Sequence, residues 1–242
     1  MIIIYGFFVG AFVSLIDGGG ASLYLGILTA QLGLPITQAA ATSLFVALPA
    51  LFFGFVTQHR YHNVKFKIGN IMIFAALPSI VIGTIISKYI PSKLYNWLVG
   101  IILIIMGLFV FIKSFIHKNT QEHGSKLKVI GFGILSGAMV GIGGLSGGAP
   151  TVAGLAILGL NALQAAGTST YVLCIMSLIG LISHLFVSTI AWQAGFTLMI
   201  GAILGSVITP IILNHLNLNK INNFLSPLIG IIIIYFGIKL IT

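Results

Sequence analysis

The chain has 242 residues, 58% of them hydrophobic and 5% charged, with 11 Lys and Arg against 2 Asp and Glu and a net charge of +9; its mean hydropathy is +1.18. A water-facing surface needs about 25–35% charged residues, so no fold of this chain hides its apolar surface without lipid. At ~20 apolar residues per spanning helix, the length allows about eight spans and no extramembrane domain, so any ligand site is built from the bundle itself.

Apolar runs bounded by polar punctuation predict helices, in chain order, at about 2–16, 20–33, 37–57, 68–88, 94–116, 127–142, 148–159, 163–189, 194–214 and 220–241. The first run lacks a basic segment and a small-x-small cleavage site, so it is read as a helix rather than a removed signal peptide. Four runs are short and fall into two pairs, interrupted by Gly18-Gly19-Gly20 and by the glycines from Gly141 to Gly148. The stretch from His117 to Lys126 is the one extended polar segment. It separates a first half, 1–116, from a second, 127–242. Arg60, Lys65, Lys67, Lys88, Lys93, Lys113, Lys118, Lys126, Lys128, Lys220 and Lys239 sit at or near the ends of apolar runs. That is the pattern of membrane topology, not of a nucleic-acid-binding stripe.

The halves match. LGLPITQAAATS, Leu32 to Ser43, recurs as LGLNALQAAGTS, Leu158 to Ser169; Gly69 corresponds to Gly195, and LVGIILIIMG from Leu98 to LIGIIIIYFG from Leu228. Shared Gln, Thr and Ser in one register carry more weight than shared Leu or Ile. Paired interrupted segments in matching halves point to a transporter with its site at the repeat interface. The expected fold is all-α and polytopic, two homologous halves with glycine-broken half-helices meeting near the midplane. If each short pair is one broken span, there are eight spans and both termini are cytoplasmic by the basic loops. If each pair enters and returns, or crosses twice, the repeats are inverted. The loop with Arg60, Lys65 and Lys67 has an uncharged counterpart near Ala191-Trp192-Gln193, which favours inversion.

Glycine triplets are poor helix interior, each Gly costing about 1 kcal/mol relative to Ala, so a new helix begins just after each break. The freed N–H groups at the positive end of such a half-helix form an anion cradle, assigned here to Gly18, Gly19, Gly20, Gly147 and Gly148. Pro150 suits a first helical turn. The plainer reading is close helix packing, as for Gly6/Gly10, Gly137/Gly141 and Gly201/Gly205. Gln38 and Thr42, like Gln164 and Thr168, share a helix face four residues apart; with Ser43 and Ser169 they are candidate cavity linings, or else back-bond to their own helices. Asp17 is the one acid outside the linker, a candidate proton or sodium coupling site or a cap for the following half-helix. Cys174 cannot form an intrachain disulfide, no His/Cys/carboxylate spacing suits a metal, and no Walker-type loop is present. No cofactor is expected, and the oligomeric state is open.

These segments, the glycine-rich break, LGLPITQAAATS and GGAPTVAGLAILGLNALQAAGTS, resemble the sulfite exporter TauE/SafE family, the 4-toluene sulfonate uptake permeases, over essentially the whole chain. The resemblance implies a multi-pass plasma-membrane permease of mostly prokaryotic occurrence, moving sulfite or another small sulfur oxyanion or organosulfonate. The family's glycine pattern is altered here: Leu23-Tyr24-Leu25 replace the first proline, and Leu145-Ser146 interrupt the second glycine run. Two rivals stand beside a secondary transporter. A passive anion channel would use the same half-helix ends. A rhomboid-like intramembrane serine protease would use Ser146, in Gly144-Leu145-Ser146-Gly147, with His184.

Overall fold

The computed structural model describes residues 2–16, 20–113, 126–160, 162–213 and 218–242. Asp17, Gly18 and Gly19, and nearly all of the polar linker, lie outside the described residues. Among the described residues ten helices follow one another: α1 Ile2–Ile16, α2 Ala21–Ala30, α3 Ile36–Arg60, α4 Phe66–Tyr89, α5 Ser92–Lys113, α6 Lys126–Gly143, α7 Gly148–Ile157, α8 Ala162–Leu185, α9 Trp192–Leu213 and α10 Leu218–Ile241. Among the described residues, α3, α4, 92–109 of α5 and 163–185 of α8 are long and apolar enough to cross a membrane. Large side chains such as Phe52, Phe53, Phe74, Ile82, Ile105 and Phe186 stand exposed on the outside. In water such a surface would be an aggregation hazard; in lipid it is the solvent-facing side.

Successive contacts give the helix directions. Gly133, Gly137 and Gly141 of α6 lie on Met72, Ala76 and Ile80 of α4, so the two run parallel. Gly6 and Gly10 of α1 lie on Leu198 and Ala202 of α9, again in parallel. Gly100 and Gly107 of α5 meet Gly237 and Gly230 of α10, which runs antiparallel. A Cβ at Gly10 or Gly141 would come within 2.1 or 2.3 Å of a backbone oxygen, so these helices touch backbone to backbone, as small-xxx-small packing requires.

Each short pair therefore enters and returns. α6 starts at the face bearing the α3–α4 turn, climbs beside α4, and α7 descends again: Thr151 and Gly154 of α7 face Ser136 and Phe132 of α6. α1 starts near the opposite face, which bears the α4–α5 turn, and α2 ends there, with the Lys239 ammonium of α10 donating to the Ala30 carbonyl. Both half-helices have 10 residues, about 15 Å of helix or half a hydrocarbon core. Gly33 and Gly159, the matching glycines of the two Leu-Gly-Leu segments, adopt φ of 63° and 80° just past the half-helices. The left-handed geometry stops each one there.

Candidate functional site: the junction of the two half-helices

The second break is a tight passage. Gly144 and Gly147 take φ of 60° and 58°, open to glycine at little cost. A Cβ at Gly144 would sit 2.5 Å from the Cα of Ala40. Ser43 Oγ donates to the Gly144 carbonyl at 3.0 Å and is also within reach of its own helix carbonyl at Ala40, 2.9 Å. Further along, Ser136 Oγ donates to the Gly147 carbonyl at 3.0 Å, and Thr151 Oγ1 reaches both that carbonyl and Ser136 Oγ. Because Gly147 lies on Ser136, and Gly137 lies on Ala76 near the middle of α4, α7 begins about halfway through the bundle.

There it meets α2. Ser22, in the first turn of α2, places its Oγ 3.4 Å from Ser146 Oγ and 3.4 Å from the Ser146 backbone nitrogen. Neither helix has a side-chain cap at Gly20 or Gly147, and no acid occupies either first turn. Two positive helix ends thus abut, with first-turn amides and small hydroxyls and no Lys or Arg among Gly20–Tyr24 or Gly144–Thr151. Gly20, Ser22, Ser146, Gly147, Gly148 and Pro150 are all buried. Among the described residues the junction is closed in this conformation.

The candidate residues divide into two groups. Gly20, Ser43, Gly147, Gly148 and Pro150 stand at or beside the junction. Thr42 and Thr168 are fully buried but tie elsewhere. Thr42 Oγ1 donates to Gln38 O at 2.7 Å and accepts the Ala191 amide at 3.0 Å, just ahead of α9. Thr168 Oγ1 accepts the Lys65 amide at 3.0 Å, just ahead of α4. Gly195 lies on Thr42 and Phe45, and Gly69 on Thr168 and Tyr171. Each threonine thus docks the start of a helix from the other half, a buried amide being costly to leave unpaired. Gln38 Nε2 donates to Thr189 Oγ1 at 3.3 Å in the same region, and Gln164 is half-buried on the first turn of α8. Ser169 Oγ is buried with no partner among the described residues. Its sequence counterpart Ser43 holds Gly144, whose own counterpart, Gly18, lies outside the described residues. Asp17 and Gly19 lie outside them too.

Ser22, Ser136 and Thr151 were not singled out by sequence. The legible signal was a small hydroxyl within one turn of a glycine break, which Ser22 and Thr151 both carry. Ser146 faces Ser22, and His184 Nε2 lies 3.2 Å from the Val140 carbonyl. Among the described residues, no group of three or more His, Cys, Asp or Glu could hold a metal ion.

A family model described as sulfite exporter TauE/SafE matches residues 2–240. The chain is 28% identical over 235 residues to the probable membrane transporter protein MJ0441 of Methanocaldococcus jannaschii, covering 94% of this chain and 87% of that one. It is 24% identical over 256 residues to the probable membrane transporter protein YjnA of Bacillus subtilis, covering 99% and 98%. The probable membrane transporter protein YunE of the same organism is 24% identical over 232 residues, 85% of each chain. No solved structure matches.

Proposed function

The chain belongs to the sulfite exporter TauE/SafE family, a multi-pass membrane protein whose relatives carry transporter names, and from that membership we propose that it is a secondary transporter of a small sulfur oxyanion or organosulfonate. The observation that carries the proposal is the Ser22–Ser146 contact, which joins two uncapped half-helix N-termini halfway through the bundle. Such ends present first-turn amides and the positive pole of the helix dipole. An oxyanion is held there without a buried cation, whose desolvation would cost several kcal/mol or more.

The two halves are read as inverted repeats. Support comes from the matched pairs Thr42–Ala191 and Thr168–Lys65, from Gly195 and Gly69 beneath the same threonines, and from hairpins that enter from opposite faces. Because each hairpin packs on a helix of the other half, tilting one half against the other would open the closed junction to one side at a time. The face with Arg60, Lys65 and Lys67 is assigned to the cytoplasm by its charge. Both termini then lie outside, the reverse of what an eight-span topology gives, because the hairpins do not cross. The membrane is assigned as the prokaryotic plasma membrane, and Asp17 as the coupling residue.

The test is uptake of labelled sulfite, sulfate, thiosulfate and taurine into liposomes containing the purified protein, with and without a pH gradient. Saturable uptake of at least one solute, driven uphill by the gradient, is expected. Flux that is linear in concentration and always downhill would identify a channel, and no flux of any of the four would refute the substrate class.

A further inference from the structure

A cavity of about 520 Å³ opens at the face bearing the α4–α5 turn, where α2, α4 and α10 end and α3 and α5 begin. Its lining includes Lys88, Lys239, Ser92, Asn96, Thr37 and Tyr95, together with Thr242, the last residue of the sequence, and no Asp or Glu side chain among the described residues. Lys239 spends one donor on the Ala30 carbonyl at the end of α2; an ammonium has three, which leaves two. Lys88 stands exposed at the end of α4. Side-chain hydroxyls and an amide complete a wall that can donate hydrogen bonds from several directions. The volume falls within the range of small-molecule sites, about 300–1,000 Å³, and exceeds what one hydrated tetrahedral anion needs.

The wall of this cavity is tied to the end of α6. Tyr95, 1% exposed, donates its hydroxyl to the Ile142 carbonyl in the last turn of α6, and Thr84 Oγ1 donates to the neighbouring Gly141 carbonyl at 3.1 Å. Three residues of chain, Gly143 to Leu145, separate Ile142 from Ser146. We propose that this cavity is an anion-binding vestibule in which Lys88 and Lys239 collect a small oxyanion on the far side of Tyr95 from the half-helix junction. The cationic cavity and its lining stand on their own; the role as an antechamber rests on the transport reading above.

The test needs no transport. In a Cys174→Ala background, Asn96→Cys is labelled in phosphatidylcholine nanodiscs by an anionic sulfonatoethyl and by a cationic trimethylammonioethyl methanethiosulfonate. Two nearby lysines raise the anion-to-cation rate ratio by about tenfold or more at low salt, so the ratio should fall by that factor in Lys88→Gln/Lys239→Gln and persist in Lys88→Arg/Lys239→Arg. Millimolar sulfate should slow the anionic label at least threefold, beyond chloride of equal ionic strength, with both lysines present and not without them. An unchanged ratio in the double Gln variant, or sulfate protection no greater than chloride's, overturns the proposal. So does a lipid occupant, seen as slowing by added phosphatidylglycerol with no sulfate effect in phosphatidylcholine. Sulfate protection without flux of any solute would retain the site and reject the transport reading; flux without protection would do the reverse.

Discussion

Ser22 and Ser146, 124 positions apart, bring their hydroxyl oxygens to 3.4 Å, and in doing so they join the start of one half-helix to the break ahead of the other. Among the described residues, neither serine belongs to a metal-binding cluster. What they mark is the place where two chain reversals meet, and the backbone around them supplies the polarity.

The break tolerates no side chain at Gly144. An alanine there would adopt a left-handed φ and press its Cβ to 2.5 Å from Ala40, at a combined cost of about 2–4 kcal/mol. Gly159, with φ of 80° and nothing within 4 Å of an added Cβ, bears only the backbone part, about 1 kcal/mol. Thermal unfolding in detergent should therefore show Gly144→Ala losing much more stability than Gly159→Ala. Equal shifts would mean that the passage beside Ala40 is loose.

Thr42 and Thr168 tie the two halves together in this conformation. Thr42→Val leaves the Ala191 amide without its acceptor and Thr168→Val does the same to Lys65, each costing about 1–2 kcal/mol. Serine at either position keeps the acceptor and should restore most of the loss. Melting temperatures should fall in both Val variants while the KM for transported solute stays within about twofold, the span of about 0.4 kcal/mol. A KM that rises tenfold with unchanged stability would return the threonines to the solute pathway.

Asp17 precedes the first glycine triplet and is the coupling residue proposed above. Asp17→Asn keeps the size and the capping ability but cannot carry a proton. Uptake in liposomes should continue down a solute gradient and lose its response to an imposed pH gradient. A response equal to that of the unaltered protein would leave the residue a helix cap only.

Much of the fold was legible because the bilayer leaves few options. Backbone polar groups must pair internally, so apolar runs become helices, and the ten expected segments match the ten helices to within a few residues at most ends. The glycine breaks were legible as half-helix starts for the same reason. Repeated Thr42 and Thr168 showed that a hydroxyl was wanted, but the amides they serve arrive from the opposite half, and no local spacing contains that. The helix face that Gln38 shares with Thr42 was legible too, but its partner Thr189 lies in the opposite half, where no local spacing names it. Ser22 was overlooked because a serine in a first helical turn has an ordinary explanation; only the fold brings Ser146 to it.

The central claim is that the solute passes the meeting point of the two half-helices. Ser22→Cys/Ser146→Cys in a Cys174→Ala background, bridged by the short alkylating cross-linker dibromobimane, tests it in liposomes, since sulfite does not cleave the thioethers formed. The account predicts that the bridge forms in high yield, that flux falls to the level of empty liposomes, and that either single cysteine treated in the same way retains most of its flux. Complete bridging with undiminished flux, or no bridging at all in a folded protein, would contradict it.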